Sequence, residues 1–65
     1  MITMRVKDRK TEKIYDCITQ AIDVNNDGKY SLFYNIGIKN YQGFNSIYCI
    51  YDNEKFNSMY EFISL

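Results

Sequence analysis

The chain has 65 residues, eight acidic and eight basic side chains, two cysteines, and neither histidine nor proline. Its length sets a single domain over residues 1–65, and its neutrality argues against a protein whose main work is gripping phosphates. Without histidine there is no general base poised near neutral pH, and two cysteines alone cannot complete a four-ligand zinc site. No catalytic residue, metal or cofactor is therefore expected. The composition, 46% hydrophobic and 17% aromatic, is that of a folded domain. A core this short usually needs a disulfide, a metal or oligomerisation to support it. The sequence carries no recognisable secretory signal and no run of membrane-spanning length, so a reducing, cytoplasmic setting is expected. Cys17 and Cys49 then read as small buried hydrophobes.

Met1 to Lys7 alternates, with Ile2, Met4 and Val6 on one side, and predicts a first strand. Asp8-Arg9-Lys10-Thr11 supplies a turn. Glu12 to Val24 fits two patterns. Ile14, Cys17, Ile18, Ala21 and Ile22 match a helical stripe with Thr11 as its N-cap, whereas the frequency of β-branched and aromatic residues favours a strand. The strand is the expectation, and an α+β fold with a helix at 11–24 is the alternative.

Asn25-Asn26-Asp27-Gly28 follows as a hairpin turn. A two-residue Asp27-Gly28 loop would pair Val24 with Ser31 and Ile22 with Phe33; a three-residue loop would pair Val24 with Tyr30, Ile22 with Leu32 and Ile18 with Ile36, and is the expectation because it brings the aliphatic residues onto one face. Lys29 to Lys39 is the most regular strand, with Tyr30, Leu32, Tyr34, Ile36 and Ile38 at every second position. Gly37 lies inside it, where glycine marks a bulge or a close backbone approach. If Gly43 closes a similar loop, Ile36 faces Tyr48 and Tyr34 faces Ile50. The expected core is Ile18, Ile22, Val24, Tyr30, Leu32, Tyr34, Ile36, Ile38, Tyr48 and Ile50. Ser58-Met59-Tyr60-Glu61 fits a capping box and predicts a short C-terminal helical turn, with a last strand as the alternative. The predicted fold is all-β, an antiparallel meander curled into a small SH3-like barrel with that helical turn at its end.

Val6-Lys7-Asp8-Arg9-Lys10-Thr11, Lys13-Ile14-Tyr15, the hairpin into Leu32-Phe33-Tyr34, and the tail Phe56-Asn57-Ser58-Met59-Tyr60-Glu61-Phe62 together resemble very short proteins of Gram-positive phages and mobile elements. Those often open on a hairpin of the Asp-Lys-Lys-Thr-Gly-Lys type; this chain has Glu12 at the glycine position. The resemblance implies a small β-rich cytosolic accessory protein, and with it an inhibitor of a host or defence protein. It carries over no functional residue.

Three constellations bear on function. Asp23 to Gly28 reproduces the first half of a calcium loop, but Tyr34 stands where the bidentate acid is needed, so a plain turn is expected. Arg5, Lys7, Arg9 and Lys10 form a basic stretch, the candidate contacts if the chain were a small nucleic-acid-binding β-barrel; tight binding is not expected of a neutral chain. In the chosen register the face opposite the core carries Ala21, Phe33, Ile47, Cys49 and Tyr51 beside Thr19, Ser31, Asn35 and Asp23. An apolar face of that kind is either covered by the tail or is a contact surface. The expected function is thus a non-enzymatic protein–protein interaction module. Phe33, Ile47 and Tyr51 are the candidate partner-binding residues, and another protein or a second copy in a homodimer is the partner. No membrane contact is expected.

Overall fold

The computed structural model describes residues 2–23 and 25–65. Five strands form one antiparallel sheet: β1 (Ile2–Asp8), β2 (Ile14–Ile22), β3 (Ser31–Asn40), β4 (Gly43–Ile50) and β5 (Tyr60–Ser64), with a short helix α1 (Asn53–Met59) between β4 and β5. The order across the sheet is β4-β3-β2-β1-β5. The fold is all-β with a short helix, as expected, and the segment at 14–22 is a strand, not a helix. The sheet does not close into a barrel. Its last strand pairs with β1 and not with β4, leaving two free edges. The chain reaches β5 by carrying α1 across one face of the sheet, and that crossing builds the core.

The first hairpin is shaped by Asp8. Its carboxylate accepts the backbone N–H of Lys10 at 2.8 Å and of Thr11 at 3.1 Å, and its own N–H donates to the Lys13 carbonyl at 2.9 Å. The second connection is longer than a hairpin turn. Asp23 accepts the N–H groups of Asp27 and Gly28, at 3.1 and 2.9 Å, and Asp27 accepts that of Lys29 at 2.9 Å. These local bonds compete with the ladder and end pairing at Ile22↔Ser31. Val24, which the expected register paired with Tyr30, lies outside the described residues; Tyr30 is exposed.

The register of β2 on β3 is therefore Cys17↔Ile36, Thr19↔Tyr34 and Ala21↔Leu32, one residue from the expected pairing. A slip of one residue turns every side chain to the other face. Tyr15, Cys17 and Thr19 face the core, and Ile14, Ile18 and Ile22 face away from it. Thr19 is buried and its Oγ1 donates to the Phe33 carbonyl at 2.9 Å.

β3 and β4 pair as expected at their centre, Ile36↔Tyr48 and Tyr34↔Ile50. The route differs. The turn has two residues, Tyr41 and Gln42, closed by Asn40↔Gly43, and the missing residue is restored by a bulge that leaves Ile47 extra between Tyr48 and Ser46. The bulge lies opposite Ile36 and Gly37. A Cβ on Gly37 would sit 2.1 Å from the Asn45 carbonyl oxygen, so this position admits no side chain.

The helix starts earlier than the Ser58 capping box predicts. Asp52 is the N-cap, accepting the Glu54 N–H at 3.0 Å, while Ser58 lies in the last turn and its Oγ donates to the Lys55 carbonyl. After Met59 the backbone extends at Tyr60: residues 60–64, which the Ser58 cap would have made helical, form the alternative last strand, and the short helix lies before them. The core consists of Val6, Cys17, Tyr34, Ile36, Ile50, Phe56 and Tyr60, with Met4, Tyr15 and Met59 against it. Of the nine expected core residues that are described, only Tyr34, Ile36 and Ile50 are in this cluster. Leu32 and Ile38 are half exposed beyond the reach of α1, and Tyr48 is partly exposed on the edge strand.

Candidate protein-binding face

Because α1 lies on the Cys17 side of the sheet, the other face has no covering layer among the described residues. That face carries Ile18 and Ile22 from β2, Phe33 from β3 and Tyr51 just beyond β4. The rings of Phe33 and Tyr51 are 5.0 Å apart, centroid to centroid, and tilted by 44°. With Gln20 and Ile22 they border an open hollow of about 220 Å³. Tyr51 is 59% exposed; Phe33, Ile18 and Ile22 are half-buried by their neighbours along the sheet.

Below this corner Asn35 faces Cys49 across the ladder. The Ser46 hydroxyl donates to Asn35 Oδ1, and Cys49 Sγ lies 3.6 Å from the same oxygen. Cys49 is exposed, so the expectation that both cysteines are buried holds only for Cys17, whose thiol burial pushes up to about 11. Burial likewise raises the hydroxyls of Tyr34 and Tyr60 on the helix side. At the far end, Lys7 pairs with Glu61 at 3.4 Å, Arg5 lies opposite Asp16, and Asp16 accepts the Lys39 N–H at 2.9 Å.

The candidate contact residues separate in part. Phe33 and Tyr51 meet; Ile47 is exposed as the bulge residue and does not line their hollow. Ala21 and Thr19, expected on this face, point to the other. Sequence reasoning missed Ile18 and Ile22, which the one-residue slip delivers here. The signal was available in Tyr15, Cys17, Thr19 and Ala21, an alternate set that tapers to small side chains.

The four basic residues do not converge. Arg5 and Lys7 lie on the open face, whereas Arg9 turns to α1, its Nε donating to the Asn57 carbonyl at 2.9 Å and its N–H to the Met59 carbonyl at 3.0 Å. Lys10 lies with Asp8, Arg9, Ser58 and Met59 around a second hollow of about 250 Å³. In the calcium-like segment both Asp23 oxygens are used by backbone N–H groups of the loop. Among the described residues no group of three or more acidic or cysteine side chains is arranged to hold a metal ion, and no helix is long and apolar enough to cross a membrane. The chain matches no family model, no curated protein and no solved structure.

Proposed function

We propose that this chain is a non-enzymatic, cytoplasmic protein-binding module that docks a partner through the open face of its sheet. The observation that carries the reading is the meeting of Phe33 and Tyr51 beside Ile22 around an open hollow on the face opposite α1. Aromatic side chains around a hollow with a polar rim are what protein interfaces use as anchors. The likeness of its hairpin and tail to short phage and mobile-element proteins supports an accessory role, with a host or defence protein as target. Capture of partners from host lysate by the wild-type chain, compared with Phe33→Ser and Tyr51→Lys variants, tests this. Loss of a specific partner in variants that keep the wild-type circular dichroism supports the reading; capture indifferent to both changes refutes it.

A nucleic-acid-binding role has less behind it. Of the four candidate cations, Lys7 is paired with Glu61 and Arg9 holds the end of α1, so the four do not converge on one surface to neutralise phosphates. Sub-micromolar retardation of DNA or RNA in a gel at about 150 mM salt would reverse this ranking.

A further inference from the structure

The molecule is flatter and more exposed than its mass calls for. Its accessible surface is 4863 Å², whereas a compact monomer of 7.8 kDa exposes about 4,400 Å². Its radius of gyration is 12.2 Å, against roughly 10.7 Å for a compact chain of this length. The extents are 36 × 29 × 19 Å, a slab one sheet and one helix thick. The usual supports of so small a core are also lacking. Cys17 faces α1 and Cys49 the open face, so the two cannot join within one chain, and the described residues offer no metal cluster. Of the common supports, association is the one left.

We infer that the open face is occupied by a second copy of this chain, packed sheet on sheet about a two-fold axis. This rests on the protein-binding reading of that face and names its occupant. Two sheets stacked face to face lie about 10 Å apart and interdigitate their side chains. That arrangement turns two slabs into one four-layered globule with α1 on each outer side. The sheet spans the two long axes of the slab, room enough for the roughly 800 Å² per partner that a standard interface buries. An isologous contact sets the Ile22, Phe33 and Tyr51 hollow of each copy within one self-complementary patch. Charge does not oppose it: the chain is neutral, and the remainder of the face mixes Arg5 and Lys7 with Asp16 and Glu61.

Sedimentation equilibrium of the full chain over a wide concentration range tests the inference. The expected result is a monomer–dimer equilibrium that Tyr51→Lys weakens by at least about 30-fold, the loss of one anchor residue. Leu32→Lys, which charges a comparably exposed apolar residue near the edge of the helix-side face, should leave the dimer intact. A dimer lost in Leu32→Lys but kept in Tyr51→Lys overturns the proposal, because the copies then meet through the other face. A wild-type chain that stays monomeric to its solubility limit also overturns it. In that case a water-soluble paramagnetic agent separates the two readings. Broadening of the Ile18, Ile22 and Phe33 signals shows an open face still available to another protein, while protection shows that the face is covered within the chain and removes both readings.

Discussion

The ring of Tyr34 lies flat on the ring of Phe56, with centroids 3.8 Å apart and planes within 6°. Phe56 is the buried residue of α1, and its ring centroid also lies 5.8 Å from that of Tyr60. The Tyr34 hydroxyl donates to Asn53 at the start of the same helix, so one side chain of the central sheet holds α1 at two points. Phe56→Ala should therefore cost about 3–5 kcal/mol. That is comparable with the whole stability of a domain this size. Urea unfolding followed by circular dichroism should find the variant largely unfolded without denaturant, and Phe56→Leu folded with a lower midpoint. A Phe56→Ala chain with the wild-type midpoint would show that the helix does not hold the core.

The strand periods of β1 and β3 were legible because each has one buried face and alternates cleanly. The centre of β3–β4 was legible for a less direct reason. The expected three-residue loop and the observed two-residue turn plus bulge place the same residues opposite one another. The β2–β3 register was not legible, because the aliphatic residues of β2 are its most hydrophobic and were assigned to the core. The core in fact takes Tyr15, Cys17 and Thr19, whose sizes suit the space under Phe56 and Tyr60, a helix-and-strand layer that arrives from 37 to 45 residues down the chain and has no local signature in β2. The aromatic pair Phe33 and Tyr51 was found from the β3–β4 register alone. Its neighbours Ile18 and Ile22 depended on the register that was missed.

Gly37 makes the bulge opposite it possible. A Cβ there would meet the Asn45 carbonyl oxygen at 2.1 Å, the Phe44 ring at 2.8 Å and the Asn45 carbonyl carbon at 2.9 Å. The ring could swing aside, but the backbone of β4 could not without losing its pairing. Gly37→Ala should destabilise by about 3 kcal/mol, at the upper end for an added methyl group. Gly28→Ala serves as the comparison: its added Cβ has open space and its cost comes only from the positive φ of 81°. Chemical denaturation checks the difference, and equal losses at the two sites would mean that β4 does not approach Gly37 as closely as described.

Cys17 gives the chain an alkaline weakness. Burial pushes its thiol from an ordinary 9.0 to about 11. Below pH 9 the thiol is protonated in both folded and unfolded chains, and its contribution is fully present. Between about 9 and 11 the unfolded chain releases the proton and the folded chain does not, so stability falls across that window by about 2–3 kcal/mol. Tyr34 and Tyr60, raised by the same burial, extend the loss in the same direction. Melting temperature measured from pH 7 to 11 should decline above 9, and Cys17→Ala should flatten the first part of the decline. In the native state at pH 8 a thiol reagent should modify the exposed Cys49 at once and Cys17 only on unfolding. Rapid modification of both would contradict the burial of Cys17.

The first hairpin holds a correctable strain. Glu12 has φ of 64°, in the left-handed region where a residue with a side chain is at a disadvantage of about 1–2 kcal/mol. The conformation is imposed from both sides. Asp8 fixes the turn through Lys10 and Thr11, the Glu12 N–H donates to the Asp8 carbonyl at 2.8 Å, and the Lys13 N–H turns back to Thr11 Oγ1 at 3.3 Å. The Glu12 side chain is exposed and makes no hydrogen bond or ion pair among the described residues, so nothing offsets the strain. Glycine at this position removes it, while the freer unfolded chain takes back part of the gain. Glu12→Gly should thus stabilise by about 0.5–1 kcal/mol, and Glu12→Val, with a branched Cβ, should destabilise. Asn40, exposed at the start of the other tight turn, provides the opposite case. Its side chain accepts the Gln42 N–H at 2.9 Å, so Asn40→Gly should lose stability. Urea midpoints of the three variants check the set. A Glu12→Gly midpoint at or below wild type would show that the hairpin does not hold residue 12 in the left-handed conformation.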